Sequence, residues 1–207
     1  MEFKNKRMLK WFSLNVVISI CLLITGVFVF VSIADEAVLE HENRVDGIIF
    51  SFFDSITTPG IIHGMKLFTF FGSARFLFPA YAILVGYFLI RRKFSYAIET
   101  AIIGLSSQCL LYALKQIFRR QRPESSLIKN ISTYGFPSGH TFSSIIFCSI
   151  LIYIMQRSNL KSNFKWLLSI LLFLFALTIS LSRVVLKVHY PTDVFASMGL
   201  ALAWIVL

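Results

Sequence analysis

Residues 166–182 read Trp-Leu-Leu-Ser-Ile-Leu-Leu-Phe-Leu-Phe-Ala-Leu-Thr-Ile-Ser-Leu-Ser, and the next residue is Arg183. An uncharged run of this length, rising about 1.5 Å per residue, nearly matches a bilayer's hydrocarbon core as a helix. A charge at the end of such a run is costly unless it has a task. The run therefore predicts a membrane span, and Arg183 marks a place where the span ends for a reason.

Similar runs recur outward from it in both directions. The sequence predicts six spans, near 11–33, 67–90, 96–117, 139–156, 166–182 and 192–207. Composition agrees: hydrophobic residues make up 57% and charged residues 14%, too few to furnish the polar surface of a soluble domain this size. The fold class expected is all-α, a polytopic membrane protein with a six-transmembrane-helix bundle and a single domain over 1–207. Between the first two spans, acidic residues alternate with Val45, Ile48, Ile49, Phe52, Phe53 and Ile56. That spacing predicts a short amphipathic helix lying at the interface in the first outward loop.

Cation placement sets the orientation. Lys4, Lys6, Arg7 and Lys10 precede the first span, Arg91, Arg92 and Lys93 follow the second, and Arg157, Lys161 and Lys165 separate the fourth and fifth. Six spans put all of these on one side, so both termini are expected in the cytoplasm of a multi-pass cell-membrane protein. The acidic stretch 35–54 then faces outward. Lys115, Arg119, Arg120, Arg122, Lys129, Arg183 and Lys187 fall on that outer side too, against the rule, and an anionic ligand is the natural reason. The net charge of +10 is thereby explained without nucleic acid. Cys21, Cys109 and Cys148 sit within spans, show no CxxC spacing, and are expected as small core residues with neither disulfide nor zinc.

Three polar islands end or begin spans on that side: Lys115 to Arg122-Pro123; Pro137-Ser138-Gly139-His140; and Ser182-Arg183 with His189 to Asp193. Phosphoryl transfer asks a protein to place a nucleophile and to stabilise the equatorial oxygens. Lys115, Arg122 and Arg183 offer the positive charge, the arginines as planar forks. Arg119 and Arg120 are expected to snorkel to headgroups instead. Pro137 and Ser138 suit a helix start, whose free amides favour an anion, and Gly139 lets the backbone approach a ligand. His140 at that mouth can protonate a departing alkoxide. His189 is the candidate nucleophile, and Asp193 can hold it in one tautomer while also complementing a helix N-terminus.

Taken together, the islands resemble the signature of the type-2 phosphatidic acid phosphatase superfamily, the integral-membrane lipid phosphate phosphatases. That pattern is Lys, six residues, Arg-Pro; Pro-Ser-Gly-His; and Ser-Arg, five residues, His, three residues, Asp. It matches here at Lys115, Arg122, Pro123, Pro137 through His140, Ser182, Arg183, His189 and Asp193. The resemblance implies a metal-independent hydrolase working through phosphohistidine, with Ser138 and Gly139 as phosphate ligands beside the three cations and no cofactor. It implies a lipid phosphate in the bilayer as substrate, with no obligate protein partner evident. The short form is most similar to bacterial members acting on phosphatidylglycerophosphate, which makes its terminal phosphate the expected target at the extracytoplasmic face. Undecaprenyl diphosphate is the alternative substrate, and a non-catalytic lipid or phosphate transporter is the alternative class.

Overall fold

The computed structural model describes residues 2–39, 44–129 and 131–207, with side chains from residue 14 onward except that of Leu39. Lys4, Lys6, Arg7 and Lys10, used above for orientation, lie outside the described side chains. All regular structure among the described residues is helical: α1 (Glu2–Ala34, continued by a π-helical turn Asp35–Leu39), α2 (Arg44–Ile56), α3 (Pro59–Phe71), α4 (Ala74–Ile90), α5 (Phe94–Phe118), α6 (Gly139–Gln156), α7 (Ser162–Val185) and α8 (Pro191–Val206).

Four stretches are long and apolar enough to cross a bilayer: Leu14–Val38, Phe94–Phe118, Gly139–Gln156 and Ser162–Val185. α4 and α8 are apolar but shorter. The expected span near 67–90 differs from what forms. Its first residues belong to α3, the chain breaks at Gly72-Ser73, and α4 carries the rest. The chain passes close to α6 and α7 at this break: a Cβ on Gly72 would stand 2.5 Å from Ile179 Cγ2 and 3.2 Å from His140. α2 and α3 meet at a bend of 119°, where Thr58 caps α3 by accepting the Ile61 N–H and Pro59 occupies its first turn.

α2 realises the predicted amphipathic helix, with a particular sidedness. Val45, Ile48, Phe52 and Ile56 are exposed, whereas Asp46 is buried. The cysteine expectation holds only in part, since Cys148 is buried but Cys21 and Cys109 are exposed on the bundle's flank.

α1 packs along α8 with the two backbones in contact. A Cβ on Gly26 would lie 2.6 Å from the Gly199 carbonyl oxygen, and one on Gly199 would lie 2.9 Å from that of Gly26. Such small-residue crossings replace the missing hydrophobic drive between helices in lipid. Phe30, Ala34, Val38, Phe136 and Ala196 form one core cluster there. A second, around Leu111, Phe142, Ile146, Ile150 and Ala201, joins α5, α6 and α8. Together they hold α1, α5, α6 and α8 against one another beside one polar centre.

Candidate active site

Helix ends build the site. α5 stops at Phe118, where Arg119 takes a left-handed conformation (φ 47°) and returns its N–H to the Lys115 carbonyl. The loop then runs to Ser138, which starts α6. α7 ends beyond Arg183, Lys187 turns the chain at φ 51°, and Tyr190 caps α8 with Pro191 in its first turn.

These ends draw the three islands together. Lys115 Nζ donates to the Tyr134 and Pro137 carbonyls at 2.7 and 2.8 Å. Arg122 Nη2 reaches the same Tyr134 carbonyl at 3.4 Å, and its Nη1 donates to the Val188 carbonyl at 2.8 Å. That Nη1 also meets His189 Nε2 at 3.0 Å. The Arg183 carbonyl accepts the Val188 and His189 N–H groups, which ties the His189 backbone to the end of α7. Gly139 lies against Lys115, a Cβ there falling 3.9 Å from Lys115 Cε. His140 lines the adjoining cavity.

Arg183 is 3% exposed. Its Nη1 donates to Thr69 Oγ1 of α3, while its Nε is buried without a hydrogen-bond partner among the described residues. A buried guanidinium N–H left unmatched calls for an acceptor, and a phosphoryl oxygen supplies one.

His189 is 1% exposed. A guanidinium can only donate, so Nε2 accepts from Arg122 and the ring proton resides on Nδ1. Nδ1 points toward Asp193 Oδ2 at 3.4 Å, longer than a hydrogen bond. Burial, and then the charges of Arg183, Arg122 and Lys115, hold this imidazole well below the usual histidine range. It is therefore held as the neutral imidazole at physiological pH.

Asp193 is fully buried and is tied more tightly elsewhere. Oδ1 accepts from Arg120 Nη1 at 2.6 Å, and Oδ2 accepts the Tyr190 N–H at 3.0 Å as a helix cap. The capping role and the position beside His189 coexist, as the sequence suggested.

Arg120 is where sequence reasoning failed. Expected to snorkel like Arg119, it is instead 8% exposed and bonded to Thr192 Oγ1 at 2.8 Å and to Asp46 Oδ2 at 3.1 Å, with its guanidinium over the Tyr190 ring. Asp46 in turn accepts both the N–H and the hydroxyl of Thr192, each at 2.8 Å. Arg119 does stay exposed. Asp46, Thr192 and Thr69 were likewise missed. The one available signal was an acidic residue, Asp46, amid an apolar face. Lys187, grouped above with anion-binding cations, pairs with Asp54 at 2.7 Å.

Ser138 is buried, with its amide on Ser197 Oγ at 2.7 Å and its hydroxyl 3.0 Å from Thr141 Oγ1. In this arrangement it closes the turn that presents Gly139 and His140.

Residues 92–207 match the PAP2 superfamily. Phosphatidylglycerophosphatase B of Bacillus subtilis (strain 168) is 28% identical over 155 residues, 73% of this chain and 76% of that protein. Among solved structures, the transmembrane PAP2 type phosphatidylglycerolphosphate phosphatase from Bacillus subtilis superposes with a TM-score of 0.75 at 26% identity, covering 87% of this chain and 92% of that one. LpxE of Aquifex aeolicus shares the fold, with a TM-score of 0.55 at 23% identity over 76% of this chain and 90% of its own.

Proposed function

The chain belongs to the PAP2 superfamily, and we propose from that premise that it is a membrane-embedded phosphatase removing the terminal phosphate of phosphatidylglycerophosphate through a phosphohistidine. The observation that carries this reading is the contact between His189 Nε2 and Arg122 Nη1, because it fixes which nitrogen holds the lone pair and aims it into the cation cluster. The similarity to phosphatidylglycerophosphatase B supports the choice of lipid.

In this scheme the phosphoryl oxygens take the Arg122, Arg183 and Lys115 donors, and Arg122 Nη1 leaves Nε2 for the incoming anion. The N–H groups of Gly139 and its neighbours in the first turn of α6 add to the cradle. Nε2 then forms a bond to phosphorus as the ester P–O bond breaks, while Asp193 stabilises the imidazolium at Nδ1. His140 relays the proton of the bound phosphate monoanion to the departing alkoxide. Water attacks phosphorus with His140 now as base, the N–P bond breaks, and inorganic phosphate leaves. Side-chain cations do the work that a metal ion does elsewhere.

We place all of this in one domain of six membrane-crossing segments, with α4 and α8 as the shorter two and α2 resting at the outer interface on its exposed apolar face. Arg91, Arg92, Lys93, Arg157, Lys161 and Lys165, gathered at the opposite end of the bundle, support cytoplasmic termini and an extracytoplasmic site. A site on that leaflet also suits undecaprenyl diphosphate, the second reading.

Phosphate release from a panel of purified lipids tests the proposal. Phosphatidylglycerophosphate should be the best substrate, and His189→Ala should abolish release and the acid-labile covalent phosphate while leaving a folded protein. Release that survives His189→Ala overturns the mechanism. Faster turnover of undecaprenyl diphosphate favours the second reading, and no release from any lipid favours a transporter.

A further inference from the structure

A cavity of about 390 Å³ lies between α4, α5 and α6, and it begins at His140 and Gly139. Its walls are almost wholly apolar (Leu77, Val85 and Leu111 among them), and its rim includes Phe78 and Leu105, both exposed on the bundle's flank. One cross-helix polar contact interrupts these walls. Gln108 Nε2 donates to Ser143 Oγ at 2.8 Å, and both residues line the cavity.

The pair has a definite depth. Ser143 stands four residues beyond Gly139, just over one turn or about 6 Å further along α6. Gln108 stands seven residues before Lys115, about two turns or 10 Å back along α5. Because Gly139 already lies against Leu111 and Lys115, the Gln108–Ser143 contact is the next polar rung beneath the phosphate cradle.

Holding two helices together would account for one hydrogen bond. It leaves donors over. Ser143 accepts from Gln108 and retains its own hydroxyl proton, and Gln108 retains a second amide proton. Reversing the amide still leaves N–H donors on Gln108. In either arrangement Gln108 presents N–H hydrogen to an apolar cavity, where an acceptor atom is matched. A glycerophospholipid such as phosphatidylglycerophosphate carries such acceptors below its headgroup, as the two ester carbonyls. A polyprenyl chain carries none at that depth.

Resting on the proposed lipid phosphatase activity, we propose that Gln108 and Ser143 form a subsite for the ester carbonyls of a diacyl glycerophospholipid, which selects glycerolipids over polyprenyl and ether lipids. The lipid enters between Phe78 and Leu105, its tails fill the apolar length of the cavity, and the carbonyls register on the pair. That registration sets how far the phosphate reaches toward His189.

The experiment compares dioleoyl phosphatidylglycerophosphate with its dialkyl ether analogue of equal chain length in mixed micelles, for the wild type, Ser143→Ala and Gln108→Met. One or two net hydrogen bonds predict a KM about three- to tenfold lower for the ester lipid in the wild type. Each variant should bring the ester-to-ether ratio toward one. Equal KM values for the two lipids in the wild type overturn the subsite, and this arm requires no variant to fold. An ester preference retained in both variants also overturns it. A wild type that hydrolyses neither lipid instead removes the phosphatase reading itself.

Discussion

Arg120 Nη1 lies 2.6 Å from Asp193 Oδ1, with the two side chains 8% and 0% exposed. The carboxylate that flanks the proposed nucleophile is thus positioned by an arginine held from its other side by Asp46 of α2. His189 itself stands further away, at 3.4 Å. The loop helix between the first two apolar segments is in this way mechanically joined to the His189 neighbourhood.

Removing Arg120 should therefore damage both stability and turnover. Arg120→Met leaves two buried carboxylates without their cation, which costs about 3–5 kcal/mol. Thermal unfolding of purified protein should show a lowered midpoint, and the double variant Arg120→Met with Asp46→Asn should recover part of the loss. A midpoint unchanged in Arg120→Met contradicts the ion-pair account.

Asp193→Asn keeps a polar side chain but removes the charge beside Nδ1. A drop in kcat of about 10²–10⁴-fold is expected, with KM little changed, because the imidazolium forms only after binding. A change confined to KM would place Asp193 in substrate binding instead.

The burial of His189 sets a pH dependence. Its folded-state pKa lies well below the unfolded value of about 6.5, so between the two the unfolded chain binds the extra proton. This contribution to stability is complete above about pH 6.5 and is lost as pH falls toward the folded value. Denaturation midpoints should decline more steeply with acid in the wild type than in His189→Gln. Equal slopes would show that the imidazole is not held neutral.

Chelation should have no effect on turnover, since fixed cations face the phosphate, while vanadate should inhibit strongly by occupying the same cradle. Activity lost in EDTA and restored by magnesium would require a different source of positive charge.

Gly26→Ala should disrupt the α1–α8 crossing. Its Cβ would sit 2.6 Å from the Gly199 carbonyl oxygen and 2.7 Å from the Ala203 amide nitrogen, backbone atoms that cannot rotate away. A loss of about 1–3 kcal/mol is expected from overpacking, visible in thermal unfolding in detergent. Gly64→Ala, where nothing stands within 4 Å of the new carbon, is the matched control.

Sequence alone determined that this chain is a helical membrane protein and which residues meet at one end of it. Transfer to lipid is decided segment by segment, as in 166–182, and the phosphate-handling types at Lys115, Arg122, His140, Arg183 and His189 stand at span ends where their cost exposes them. What only the tertiary structure decided is who partners whom. Thr192 and Asp46 are 146 positions apart, and Arg183 and Thr69 are 114 apart. No local pattern links such pairs, because a buried charge accepts whichever complement packing brings within reach. The same reason turned Arg120 inward while its neighbour Arg119 stayed outside.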